Sequence, residues 1–341
     1  MARQKAGMKQ RYLAPILNQS GTGLPFAGGA LHFAQCRLLG RAGPARVLSI
    51  AEARAQVPEL LDMLQTPQQT IIELPDPWPV IMGIVNITPD SFHDGGRQAT
   101  SAAAVAHGHK LAAEGAAILD VGGESTRPGA DAISEAEERS RIEPVIKALS
   151  DAGAVVSIDT RHASIMETAI KAGAKIVNDV TALEGDPRSL SVVAEAGVSL
   201  ALMHMQGEPQ TMQNNPHYED VVLEVRNYLL KRIALCEEAG LRRQEIAIDP
   251  GIGFGKTVDH NLQLMNHLDE FTGLGSPVLL GVSRKSFISK LNNDEPPKER
   301  VAGSLSAALA GVARGAKIIR VHDVAETKQA LTIWQSIETA D

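Results

Sequence analysis

The sequence has few cysteines and no long apolar run. Its 341 residues include only Cys36 and Cys236, so neither a disulfide framework nor a cysteine-rich zinc motif is expected, and a reducing cytoplasm is indicated. No apolar run approaches the roughly 18 residues that a membrane-spanning helix needs, which argues against a membrane enzyme. The net charge of −7 argues against a nucleic-acid-binding protein.

Acidic residues are absent from the first 50 positions, although basic residues occur there. Such a start can mark an organellar transit peptide, but glycine and proline interrupt it and no arginine-rich amphipathic helix is evident. We therefore interpret residues 1–78 as an N-terminal extension of unassigned role. A helix is predicted near 49–65 and a strand at 70–74, and residues 79–341 are predicted to form a separate domain.

From residue 79 onward one pattern recurs: a helix-like stretch ends in glycine, and a short apolar strand with a polar end follows. Glycine just past a helix end suits a left-handed cap, and an apolar run without alternation suits a strand buried on both faces. The copies are EGAAILDVGG (114–123), AGAVVSIDT (152–160), AGAKIVNDV (172–180), AGVSLALMHM (196–205) and RGAKIIRVHD (314–323).

Three further strands, at 80–86, 245–250 and 277–283, bring the number of strand–helix units to eight. Alternation of this kind implies a parallel sheet in an α/β protein, and eight units predict a closed (β/α)8 TIM barrel. An open doubly wound sheet is the alternative. Among the connecting segments, helices are predicted at 134–149, 220–239 and 323–337.

The predicted strand ends are polar in every unit. In a barrel of this kind the C-terminal ends of the strands meet at one mouth, which is where active sites form. Polar loops alone would explain any single end, but not the whole set. The residues are Asn86, Asp120, Asp159, Asn178, Asp179, His204, Asp249, Ser283, Arg284, Lys285, Arg320 and His322.

Two chemical groups stand out in and near this set. Buried carboxylates need hydrogen-bond donors, which a flat heterocycle with adjacent N–H and NH2 groups would supply. Arginine forks and lysine charges suit phosphate oxygens. Together they predict a ligand in which a heterocycle is joined to a phosphate or diphosphate. The first group is Asp120, Asp159, Asn178 and Asp249, and the second is Arg127, Lys256, Arg284, Lys285, Arg320 and His322.

Two other interpretations of these motifs are weaker. PGIGFGKT (250–257) lacks the first glycine of a phosphate-binding P-loop, because Pro250 stands there, so ATP binding is not expected. Lys285 could form a Schiff base, but the clustered arginines would then have no purpose.

Loops near the predicted mouth contain Phe92, Phe254 and Phe287, although aromatic residues make up only 3% of the chain. These rings either anchor their loops or stack on a flat ligand. The polar loop MQGEPQTMQNNPHY (205–218) is predicted to be a rim or lid element.

Five segments, taken in order, resemble dihydropteroate synthase. They are GIVNITPDSFHDGG (83–96), ILDVGGESTRPGA (118–130), DPGIGFGK (249–256), SRKSFI (283–288) and IIRVHDV (318–324). The resemblance covers the predicted barrel and excludes the extension. It implies that 7,8-dihydropterin diphosphate and p-aminobenzoate are joined, with release of diphosphate, to give 7,8-dihydropteroate for folate synthesis. It further implies Mg²⁺ as a cofactor and a homodimer.

The resemblance also implies roles for individual residues. Lys285, Asp120 and Arg127 would be catalytic. The pterin would be held by Asp120, Asp159, Asn178, Asp249 and Lys285. The diphosphate would be held by Asn86, Arg127, Arg320 and His322, with Mg²⁺ on Asn86 and Asp94. The p-aminobenzoate site would be shaped by Phe92, Thr126, Arg127, Pro128, Phe254 and Ser286.

Two rival functions remain open at this point. A pterin-binding methyltransferase would share the carboxylate half of the site but would not need Arg320, His322 and Asn86. A non-catalytic barrel scaffold would need neither half, although polar or charged residues at every strand end argue against it.

Overall fold

The computed structural model describes residues 12–18, 21–27, 29, 31–40, 45–66, 79–87, 96–125 and 133–340. Within them, a small antiparallel sheet is followed by a closed barrel of eight strands. The strand predicted at 70–74 lies outside the described residues. None of the helices in these ranges is both long and apolar enough to cross a bilayer.

The N-terminal sheet was not anticipated from the sequence. Glycines separate its strands, Pro15 and Pro25 lie within two of them, and one strand has only two residues, so no repeating strand pattern was evident. Its central strand, β3, pairs antiparallel with the other three. The sheet consists of β1 (Tyr12–Asn18), β2 (Leu24–Pro25), β3 (His32–Leu39) and β4 (Arg46–Ser49).

Two helices cover the region where one was predicted. These are α1 (Ile50–Gln56) and α2 (Pro58–Gln65), and Ser49 caps the first through its side chain. The break lies at Val57, whose φ is −147°. Proline disfavours a helical conformation in the residue before it and has no N–H to donate, so the prediction of one continuous helix was wrong.

The barrel confirms the predicted eight-unit repeat and rules out the open sheet. Its strands are all parallel, and β12 pairs with β5 to close the ring. They are β5 (Val80–Asn86), β6 (Ile118–Gly122), β7 (Val156–Asp159), β8 (Ile176–Asp179), β9 (Ser199–Met203), β10 (Ile246–Asp249), β11 (Val278–Leu280) and β12 (Ala316–Val321).

Helices surround the barrel and include all three that the sequence predicted, with bounds shifted by one or two residues. The glycine caps of the repeat are also confirmed, because Gly115, Gly153, Gly173, Gly197 and Gly315 all have positive φ. The helices are α3 (Gly96–Glu114), α4 (Glu135–Asp151), α5 (Ala163–Lys171), α6 (Ser189–Ala196), α7 (Val221–Glu238), α8 (Val258–Asn266), α9 (Asp269–Thr272), α10 (Ser286–Lys290), α11 (Val301–Val312) and α12 (Val324–Glu338).

The N-terminal sheet is tied to the barrel by ion pairs. Arg37 Nη1 lies 2.5 Å from Asp269 Oδ2 on α9. Arg226 on α7 contacts Glu270 Oε2 at 2.9 Å and donates to the carbonyl of Gly40 at 2.9 Å. Because α9 leads into the N-terminal end of β11, the sheet packs at the end of the barrel opposite the mouth. This part of the extension therefore packs against the barrel away from the C-terminal ends of its strands.

Close packing between sheet and barrel requires glycine at position 273. A Cβ atom there would lie 2.4 Å from the carbonyl oxygen of Leu13 in β1. We expect Gly273→Ala to lower the free energy of unfolding by about 1–3 kcal/mol, because β1 must move away. Urea denaturation would measure the loss. Gly29→Ala is the control, since a Cβ there meets its nearest atom at 3.5 Å; equal midpoints for the two variants would contradict the prediction.

Candidate active site

The strand register brings three predicted site residues, Asn86, Asp159 and Asn178, into one row with Gly122. Asn86 pairs with Gly122, Gly122 with Asp159, and Asp159 with Asn178. A Cβ on Gly122 would lie 3.5 Å from Asn86 Oδ1 and 3.6 Å from Asp159 Cβ. The side chains of Asn86 and Asp159 therefore flank the same small space at the mouth.

Arg320 links two of the carboxylates. Its Nε is 2.6 Å from Asp120 Oδ2 and its Nη2 is 2.7 Å from Asp159 Oδ2. Asn178 Nδ2 donates to the same Asp120 oxygen at 3.1 Å. Arg320 was predicted to hold diphosphate. Here its guanidinium lies on two residues that were predicted to hold the pterin, so the two halves of the site are in direct contact.

Asp120 and Asp159 each have one carboxylate oxygen that does not contact Arg320. Asp120 Oδ1 and Asp159 Oδ1 are buried and accept no hydrogen bond from the residues that the structure describes. An ionised oxygen in this state is costly because it has lost water without gaining a donor. The mouth therefore contains two acceptors that suit a ligand with adjacent N–H groups.

Burial also changes the protonation of the carboxylates. Desolvation raises the pKa of Asp159 to about 7, although the charge of Arg320 opposes that shift. Desolvation raises the pKa of Asp249 as well, opposed by the backbone N–H of Gly251. Because a neutral carboxyl can donate a hydrogen bond as well as accept one, these groups can adapt to a ligand that offers both donors and acceptors.

Asp159 should make folding stability depend on pH. The folded protein binds this proton more tightly than the unfolded chain, whose value is near 3.8. Its contribution is therefore complete below about pH 4 and is lost as the pH rises toward about 7. We expect Asp159→Asn to flatten the fall in unfolding free energy across this range, by at most about 1.4 kcal/mol per pH unit.

Urea denaturation at several pH values would measure this slope. Asp151→Asn is the matched control, since that side chain is 64% exposed and pairs only at the surface with Lys147. A slope in Asp159→Asn equal to that of the unaltered chain would contradict the prediction.

The opposite side of the mouth is formed by the loop after β10. The backbone N–H of Gly251 donates to Asp249 Oδ1 at 2.7 Å, which fixes the carboxylate at the strand end. Lys285 Nζ lies 4.0 Å from the centroid of the Phe254 ring, a cation–π distance. Three residues predicted for the site, Asp249, Phe254 and Lys285, are thus gathered on this side.

His322 and Arg284, two further predicted cations, each contact a side chain of a neighbouring segment. His322 Nδ1 is 3.0 Å from Ser283 Oγ, and the backbone N–H of His322 donates to that same oxygen. Arg284 donates to Asp323 Oδ2 at 3.0 Å, so its guanidinium is held at the start of α12.

Lys256 is engaged in the loop itself. Its Nζ lies 3.0 Å from His204 Nδ1 and donates to the carbonyl of Phe254 at 2.9 Å. Desolvation lowers the pKa of Lys256 to about 7 and that of His204 to about 2. Lys256 therefore acts on the loop that presents Phe254.

The loop at 205–218 supports this same segment, which the sequence did not reveal. Tyr218 Oη donates to the carbonyl of Gly255 at 2.8 Å, and Gln213 Nε2 donates to the carbonyl of Gly253 at 2.7 Å. These contacts join segments about forty positions apart. No local pattern could have indicated them.

Some predicted site residues lie outside the described residues: Phe92, Asp94, Thr126, Arg127 and Pro128. Ser286 is exposed as the first residue of α10, directly after Lys285.

Comparisons with known proteins match this chain to one enzyme family. Residues 82–322 match the family described as pterin binding enzyme. The dihydropteroate synthase of Neisseria meningitidis serogroup B is 51% identical over 264 residues, which cover 76% of this chain and 93% of that protein. The structure of Xanthomonas albilineans dihydropteroate synthase with 4-aminobenzoic acid has a TM-score of 0.73 and 49% identity, covering 77% of this chain and 94% of the other.

A second Xanthomonas albilineans structure, of the same enzyme in complex with 7,8-dihydropteroate, has a TM-score of 0.70 and 46% identity, covering 77% and 95% of the two chains. The closed parallel barrel and the family match place this chain among the pterin-binding enzymes. More narrowly, the chain belongs to the dihydropteroate synthase family, and it is a transferase.

Proposed function

We propose that this chain joins 6-hydroxymethyl-7,8-dihydropterin diphosphate to p-aminobenzoate, releasing diphosphate and forming 7,8-dihydropteroate for folate synthesis. The observation that supports this most is the pair of buried, unsatisfied oxygens on Asp120 and Asp159, beside the Arg320 guanidinium. A pterin supplies adjacent N–H and NH2 donors for such oxygens.

The pterin half of the site is proposed to be Asp120, Asp159, Asn178, Asp249 and Lys285. The carboxylates and the carboxamide would pair with the polar edge of the ring, and the Lys285 ammonium would donate to its carbonyl oxygen. The contact between Lys285 and Phe254 supports placing the second substrate next to the pterin.

The diphosphate half is proposed to be Asn86, Arg127, Arg320 and His322. Guanidinium groups suit phosphate oxygens because two N–H donors match two oxygens. Asn86 lies in the same row as Asp159, across Gly122. Its carboxamide oxygen is a type of ligand that Mg²⁺ accepts. Asn86 and Asp94 would hold Mg²⁺, which, when bound, would help neutralise the leaving diphosphate.

The p-aminobenzoate half is proposed to be Phe92, Thr126, Arg127, Pro128, Phe254 and Ser286. The aromatic rings would contact the flat faces of the substrate, while Arg127 would meet its carboxylate or the diphosphate. An aniline nitrogen is already neutral at pH 7, so these residues need to position the amine rather than deprotonate it.

The chemistry follows an SN1-like path. The bond between the pterin methylene carbon and the diphosphate oxygen breaks, and both electrons leave with the oxygen. Asp120 and its neighbouring carboxylates stabilise the resulting pterin cation. The amine of p-aminobenzoate then attacks the methylene carbon and loses a proton, which gives the new C–N bond.

The direct test measures diphosphate release from dihydropterin diphosphate with p-aminobenzoate, with and without Mg²⁺. We expect turnover that requires both substrates and is stimulated by Mg²⁺. A folded sample without turnover would reject the proposal. A sample that instead moves a methyl group from a folate to a corrinoid would support the methyltransferase alternative.

Tyr218 offers a test of the loop that carries Phe254. Tyr218→Phe removes one hydrogen bond to Gly255, worth about 1 kcal/mol, and should loosen that loop. We expect KM for p-aminobenzoate to rise roughly fivefold while kcat changes little. Tyr228→Phe is the control: Tyr228 also packs on His204 but bonds Glu184, away from the loop. Equal KM values in both variants would contradict the prediction.

We further propose that residues 79–341 form the catalytic domain, that residues 1–78 form an extension, and that the chain works as a cytoplasmic homodimer. Light scattering in solution would test the dimer through its mass.

A further inference from the structure

Three ionisable side chains converge beside the mouth from three separate segments. Glu124 follows β6, Glu138 lies in the first turn of α4, and His162 directly precedes α5. One potential ligand atom from each lies within 4.8 Å of the other two. His162 Nε2 is 3.6 Å from Glu124 Oε2 and 3.9 Å from Glu138 Oε2.

One carboxylate oxygen of Glu138 is buried without a hydrogen bond from the described residues. Glu138 is 0% exposed, and its Oε1 accepts a hydrogen bond from Thr160 Oγ1 at 2.8 Å. Its Oε2 accepts none from the described part of the chain, and it faces His162. Desolvation raises the pKa of Glu138 to about 7. A buried carboxylate oxygen in this state gains most from a cation placed next to it.

We propose that Glu124, Glu138 and His162 bind a divalent transition-metal ion of the Zn²⁺ class. One imidazole nitrogen and two carboxylate oxygens are ligands that such ions accept, and a water would complete the coordination. Metal–ligand bonds of about 2.0–2.2 Å put tetrahedral ligand atoms about 3.4 Å apart. The two distances from His162 Nε2, 3.6 and 3.9 Å, exceed this value by a few tenths of an ångström, and the two carboxylate oxygens lie within 4.8 Å of each other.

The site is held in place by its surroundings. The Thr160 hydroxyl orients Glu138, as outer hydrogen bonds do for metal-binding carboxylates. Gly123 allows the Glu124 backbone to approach α4, because a Cβ there would lie 2.7 Å from Ile142 Cγ2 and 3.0 Å from Glu138 Cγ. The site differs from the proposed Mg²⁺ site at Asn86 and Asp94, which offers oxygen donors without an imidazole.

Arg161 competes with the ion for Glu124. Its Nε lies 3.3 Å from Glu124 Oε2 and its Nη2 lies 3.4 Å from Oε1. With both carboxylates ionised and the imidazole neutral, the state that metal binding requires, the three ligands and Arg161 carry one net negative charge, which attracts a divalent cation. The hydrogen bond to Glu124 raises the pKa of His162, so the ion displaces a proton from this cluster when it binds. Removing the guanidinium should tighten binding, whereas a purely structural ion-pair network would gain no metal affinity.

The experiment uses the full chain, freed of metal with a chelator and kept in excess Mg²⁺ to fill oxygen-only sites. Zn²⁺ binding is measured by calorimetry and Co²⁺ binding by visible absorption. We expect one ion per chain. Glu138→Gln and His162→Gln should weaken binding by at least about tenfold, the loss that even an outer hydrogen-bond partner can cause. Arg161→Gln should strengthen binding several-fold.

Glu143→Gln, on the exposed face of α4, and His267→Gln, on a half-exposed histidine, are the matched controls and should bind as the unaltered chain does. Circular dichroism would confirm folding. Absence of binding to a folded sample, equal affinity in every variant, or no gain in Arg161→Gln would overturn the proposal. Metal affinity is measured without turnover, so this result is independent of the proposed synthase reaction.

Discussion

Arg320→Ala is expected to lower kcat/KM for dihydropterin diphosphate on the order of 10²–10³-fold, the loss that removing one charge-stabilising donor causes. The guanidinium is the group that contacts Asp120 and Asp159 and can also meet phosphate oxygens. Affinity for the free pterin should fall less than about tenfold, because every residue proposed to hold the pterin ring remains in place. Diphosphate release and pterin titration would separate the two effects.

The comparison needs two further variants. Arg320→Lys keeps the charge but loses the planar guanidinium with its paired N–H donors. Its turnover should therefore lie between that of Arg320→Ala and that of the unaltered chain. Arg188→Ala removes a guanidinium that is 56% exposed and should have no effect on turnover. If Arg320→Ala reduced pterin affinity as much as turnover, Arg320 would be a counter-ion for the aspartates rather than a diphosphate ligand.

Asp249→Asn is expected to weaken pterin binding by about 2–5 kcal/mol, or roughly 30- to 4,000-fold. Asp249 is 6% exposed at the end of β10. The new amide oxygen can still accept from the Gly251 N–H, so the loop should keep its geometry. What changes is the side facing the ligand, where an NH2 group would oppose a ring donor and the negative charge would be lost.

Titration of the pterin in the absence of p-aminobenzoate would measure this loss directly. Asp259→Asn, at an exposed position in the first turn of α8, is the matched control and should bind the pterin normally. Unchanged pterin affinity in Asp249→Asn would remove that carboxylate from the proposed site.

The sequence predicted the barrel well because each unit is local. An apolar run such as Ile118–Gly122, preceded by a helix and a glycine at 115, records its own secondary structure in consecutive residues. The N-terminal sheet left no such record. Its strand β2 has only two residues, and its stability depends on pairing with β3 and on packing against α9. Pairing between distant segments is not visible in a short window of sequence.

For the site, the sequence indicated which chemical groups stand at the strand ends. It did not indicate which of them meet. Arg320 and Arg284 looked equivalent as phosphate-binding cations, yet Arg320 lies on Asp120 and Arg284 lies on Asp323.

The sequence by itself therefore determined the repeat, the barrel's strand order along the chain and the chemical character of its mouth. The tertiary structure decided the register between the strands, the partner of each charged group and the support of the 251–255 loop by Tyr218. The reason is physical. Propensity and periodicity act between residues close in the chain. Register, burial depth and charge pairing arise only when distant strands are placed side by side.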